Sequence, residues 1–179
     1  MNRLFFLLLL LVTGCISEPP HSPMSLAADQ VILATEKKFE KKYQMITIGE
    51  GAANNGKGQF TLLRLYCISY EILSLEGCRK LMLNCIEDFL FEINHNENIR
   101  QYLEHYPFTF NDLSLCIIFN DKNNATLYHP NYNSVAFSGG ILQYDTYSPE
   151  ERYKPKTEYE ETYGDRSKIR ESWNHANGA

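Results

Sequence analysis

Basic residues are scarce relative to acidic ones: 17 Lys and Arg stand against 22 Asp and Glu, a formal charge of −5. A protein that holds nucleic acid by counterion release needs a basic face, so this balance argues against a nucleic-acid partner. The chain also lacks an apolar run of transmembrane length. Its longest, Leu4 to Val12, has nine residues, which makes about 14 Å of helix against a hydrocarbon core of roughly 30 Å. No Gly-x-Ser-x-Gly elbow occurs, and no Cys-x-x-Cys or neighbouring His pair gives zinc spacing. With 10 Gly and 7 Pro in 179 residues, the chain is neither collagenous nor of low complexity. What it has is 44% hydrophobic and 22% charged residues, enough apolar surface for one packed domain.

The short apolar run follows Arg3 and precedes the small residues Thr13 and Gly14 and then Cys15. A positive start, an apolar core and a small-residue end are the order of a secretory signal. The stretch Leu11-Val12-Thr13-Gly14-Cys15 resembles the lipobox of bacterial lipoproteins. That resemblance implies cleavage between Gly14 and Cys15, with a diacylglyceryl thioether on the Cys15 sulfur and an acyl group on the new amino terminus. Two or three acyl chains give durable attachment where one is marginal. Residues 1–14 are then the signal peptide, and their loss removes Arg3 alone among the charges. The remaining 165 residues carry 16 basic and 22 acidic side chains, or −6. Ile16, not an aspartate, follows the cysteine, which in the lipoprotein pattern favours the outer membrane over the inner one.

Residues 15–24 read as a lipidated cysteine and proline-rich tether, 25–173 as one α+β domain, and 174–179 as a frayed end. Ser25 reads as the N-cap of a helix to about Lys42. Met45–Ile48 and Phe60–Tyr70 read as strands, joined by the glycine-rich segment 49–58 as a flexible connection. The apolar spacing of Cys78, Leu81, Met82, Cys85, Ile86, Phe89 and Ile93 predicts a helix over 74–94. Asn96 caps a shorter one through Leu103. Leu113–Phe119 reads as a central strand, followed by strands at 125–128, 134–137 and 141–147 with a Gly139-Gly140 hairpin, and Glu158–Trp173 as a weak helix. The predicted fold is therefore α+β, a mainly antiparallel sheet with helices packed on one face. The segment Ile93–Thr109, followed by a strand and hairpins, resembles small uncharacterised lipoproteins of bacteria and transfers no activity.

Residues 51–57 match the first seven positions of a phosphate-binding P-loop, but Gly58 replaces the Mg²⁺-binding hydroxyl and a strand follows where a helix is required. Glu92 and His95 form one Glu-x-x-His pair, where a di-metal bundle uses two; no metal or cofactor is expected. Cys67, Cys78, Cys85 and Cys116 read as reduced core residues, with a Cys67–Cys116 disulfide as the alternative in an oxidising compartment. Tyr144, Tyr147, Tyr153, Tyr159 and Tyr163, interleaved with acids, form a candidate surface for a cationic partner. The function expected is a noncatalytic, lipid-anchored envelope module that binds the bilayer through Cys15 and contacts an envelope protein. The alternative is a small anchored hydrolase, which needs His95, His105 or His129 to meet a carboxylate in a pocket.

Overall fold

The computed structural model describes residues 22–151 and 154–163. The expected signal segment, Cys15, the expected tether up to residue 21, Tyr153, and residues 164–179 with most of the expected terminal helix lie outside the described residues.

Helix α1 spans Pro23–Tyr43 and starts three residues earlier than its sequence suggests. The Ser22 hydroxyl accepts the Ser25 amide at 3.1 Å, so Ser22 is the cap and Ser25 the capped residue. Proline at the first helical position lacks an N–H that would need a partner there. Pro23 and Met24 thus belong to the helix and not to the tether. Strand β1 runs over Ile46–Asn54, well past Ile48, because its glycines and alanines pair with β2 (Phe60–Ser69) through two bulges. The flexible connection shrinks to residues 55–59. There Asn54 and Asn55 side chains accept the amides of Gly56 and Lys57, so the P-loop-like segment is half strand and half hairpin tip.

Helix α2 (Leu75–His95) follows the predicted periodicity, with Ser74 accepting the Gly77 amide. Asn96 caps α3 by accepting two amides, but α3 is a single turn, Glu97–Arg100. Beyond it the backbone bonds to Phe60 instead: the Phe60 amide donates to the Tyr102 carbonyl and the Glu104 amide to the Phe60 carbonyl. A 3₁₀ turn, Phe110–Asp112, then leads into β3 (Leu113–Phe119), β4 (Ser134–Ser138), β5 (Ile141–Thr146) and β6 (Lys156–Thr162). No strand forms at 125–128. Asp121 Oδ1 takes the amides of Asn123 and Ala125, leaving one bridge between Asn120 and Thr126.

The six strands lie in sequence order, β2 and β3 parallel across the α2 crossover and all other neighbours antiparallel. Residues 158–162, expected as helix, are edge strand, because Tyr159 pairs across from Tyr144 and Glu161 from Leu142. Tertiary pairing overrides the helix preference of a glutamate-rich segment. Alternate residues Leu63, Leu65, Leu115, Ile117, Val135, Phe137 and Leu142 are buried beneath the helices, with Val31 and Phe39 of α1 and Met82, Ile86 and Phe89 of α2. The fold is α+β. Among the described residues no helix is long and apolar enough to cross a membrane.

Candidate functional site

A cleft of about 350 Å³ opens where the first half of α1 faces the outer half of β1. The helix presents Ser22, Ser25 and Asp29, because every third or fourth residue shares a flank. The strand presents Glu50, Ala52 and Asn54, the period-two face that points toward the helix layer. Ala28, Ile32, Phe60 and Leu63, all buried, form an apolar floor. Partial burial raises the Glu50 carboxyl above its ordinary value of 4.5, and the neighbouring charges of Asp29 and Glu36 raise it further. Among the described residues Glu50 has no ion-pair partner, and the carboxylates of Asp29, Glu36 and Glu50 bear on one seam. Such a site has the chemistry to take a cation carried on an apolar stem: the floor accepts the stem and the charge relieves the repulsion. Among the described residues no group of three His, Cys, Asp or Glu side chains has the arrangement to hold a metal ion.

The tyrosines do not form one surface. Tyr144 is fully buried and its hydroxyl donates to Glu161. Tyr163 is 2% exposed, its ring 4.7 Å from Phe110 and 5.5 Å from Phe137. Tyr147 is half-buried, and Tyr159 stays exposed beside the Arg79 guanidinium. These two corrections share a cause: β5 alternation sends Tyr144 inward, and the chain after β6 folds Tyr163 onto the core. Glu161 also turns inward, and Arg79 Nε donates to both its oxygens at 2.7 and 3.0 Å while Nη1 donates to Glu76. The bond to Glu161 holds the guanidinium protonated more firmly than usual, against the opposing effect of burial. This cluster fastens edge strand β6 to α2.

Among the described residues histidines meet carboxylates in two places. His105 Nε2 lies 2.8 Å from Asp112 Oδ2, and His129 Nδ1 lies 3.9 Å from Glu158. The same Asp112 oxygen accepts the Thr109 amide and hydroxyl, each at 2.7 Å, as half of a capping box. Thr109 therefore donates to the carboxylate and not to the imidazole, which breaks the order of nucleophile, base and orienting acid. Neither histidine lines the cleft. Glu92 pairs with Lys38 of α1, whereas His95 stacks on Phe91 and bonds its carbonyl, so the Glu-x-x-His pair is split.

Cys67, Cys78, Cys85 and Cys116 are free. Cys67 aligns with Ile117 and Cys116 with Tyr66, so adjacent-strand register puts the two thiols on opposite faces of the sheet and excludes the alternative disulfide. Burial pushes the Cys67 and Cys78 thiols up to about 12 and Cys116 up to about 11. Sequence reasoning missed the cleft because Glu50 sits in Gly-Glu-Gly, which looks like loop until its pairing with β2 is known. Comparison with protein-family models, curated proteins and solved structures returns no match.

Proposed function

We propose that this is a lipid-anchored protein of the bacterial envelope, held by acylated Cys15, whose body is a noncatalytic module that binds a partner in the cleft between α1 and β1. The lipobox supports the anchor, and Ile16 after the cysteine favours the outer membrane. The observation that carries the binding role is Glu50, unneutralised among the described residues, at an apolar-floored cleft that extends to the first turn of α1. Its fitting occupant is a lysine or arginine side chain of an envelope protein. The cationic partner expected of the tyrosine stripe is thereby reassigned to a different surface.

A photo-crosslinking amino acid at Ala52, on the cleft wall, tests this in intact envelopes. The expected result is a discrete adduct that Glu50→Gln weakens several-fold and that the same crosslinker at Lys122, in the turn after β3, does not give. An adduct unaffected by Glu50→Gln, or no adduct at all, contradicts the assignment.

A further inference from the structure

The outward face of α1 is not uniformly polar. Leu26 and Leu33 are each 50% exposed, and at 100° per residue they fall with Lys37 within about 20° of one line. That line is diametrically opposite the buried side of the helix, whose residues include Ala28, Val31 and Thr35. The four lysines near the end of α1 separate by direction. Lys38 pairs with Glu92 and Asp88, and Lys42 with Asp88, all on α2. Lys37 and Lys41, on the outward side, are exposed and form no ion pair with a carboxylate among the described residues. Glu40 is exposed beside them, and Asp29 lies about as far from the line as Lys41 but half-buried on the opposite flank, toward β1, so Lys37 is the cation nearest the line.

We propose that this stripe seats the body on an anionic bilayer surface, with the two leucines entering the headgroup region and Lys37 and Lys41 meeting lipid phosphates. The inference rests on the anchored reading above, because two leucines and two lysines are too little to bind a membrane from free solution. Position supplies the rest. Ser22 lies seven residues along from Cys15, so α1 begins no farther than about 25 Å along the chain from Cys15. A weak contact held that close acts at high effective concentration, as the second of two membrane signals. Seating would also fix which way the cleft opens relative to the bilayer, since Ser22 and Ser25 line the cleft on the same helix.

The test uses the full lipidated protein in vesicles of phosphatidylethanolamine with a minority of phosphatidylglycerol. An environment-sensitive fluorescent amino acid replaces Leu33, or Lys122 as the distant control, and brominated acyl chains report depth by quenching. The expected result is quenching at position 33, none at 122, and a several-fold loss at 33 with Lys37→Glu and Lys41→Glu together or in vesicles of phosphatidylcholine alone. A protein that is lipidated and vesicle-bound yet unquenched at 33 overturns the seating and leaves the anchor standing. Equal quenching at 33 and 122, or quenching indifferent to the double charge reversal, overturns it as well. If Cys15 takes up no lipid, anchor and seating fail together.

Discussion

Arg79 shows what a single residue carries in this fold. Its side chain is 14% exposed and that of Glu161 11%, so the ion pair is mostly withdrawn from water. Removing one partner strands the other, at a cost of about 3 kcal/mol. Arg79→Met should therefore lower the urea midpoint sharply, and adding Glu161→Gln to it should recover part of the loss. Equal midpoints for wild type and Arg79→Met would show that the pair does not hold β6. The cysteines make a second prediction. A thiol at about 12 is thiolate to roughly one part in ten thousand at pH 8. Cys67 and Cys78 should resist iodoacetamide in the folded protein and react once it is unfolded, read by mass spectrometry. The sign of the linkage follows. The folded thiols hold their protons to higher pH than the unfolded ones, so stability falls as pH rises from about 9 toward 12.

Elements were legible in the sequence where local chemistry decides them. The α2 stripe from Cys78 to Ile93, the Asn96 cap, central β3 and the Gly139-Gly140 hairpin all stand where their residues place them. The misses share a physical origin. β1 continues through Gly49–Asn54 because β2 offers a ladder, and β6 is a strand because β5 does; neither partner is visible in the segment itself. At 125–128 the error runs the other way, since one aspartate takes the amides that a strand would use. The hairpin gives an element-scale test. Gly140 has φ +79°, and a Cβ there would lie 3.3 Å from Asn111 Oδ1 and 3.4 Å from the Phe110 ring. Gly140→Ala should cost about 1–2 kcal/mol from the left-handed backbone alone. Gly56→Ala has a similar φ of +72° but open space around its Cβ, so thermal melting should show the smaller loss there. The opposite ranking would show that contact at the turn does not matter.

At the scale of the whole molecule, the body and its N-terminus are informative about different things. The body's candidate site was hidden because it is assembled from α1 and β1 across the Gln44 left-handed cap, with its acids scattered from Asp29 to Glu50. The tyrosine stripe, conspicuous in sequence, is divided once strand alternation is known: Tyr144 and Tyr163 enter the core, while Tyr159 stays exposed. The lipobox is the reverse case, legible from five consecutive residues. On the anchored reading proposed above, processing at Cys15 would turn a 179-residue acidic chain into a 165-residue tethered one, with α1 and its cleft at the membrane end of the body. Metabolic labelling with a palmitate analogue, comparing the wild type with Cys15→Ser, tests that account most directly. The wild type should incorporate the label and fractionate with membranes, and Cys15→Ser should carry none and leave the membrane fraction. Equal labelling of the two chains would contradict it.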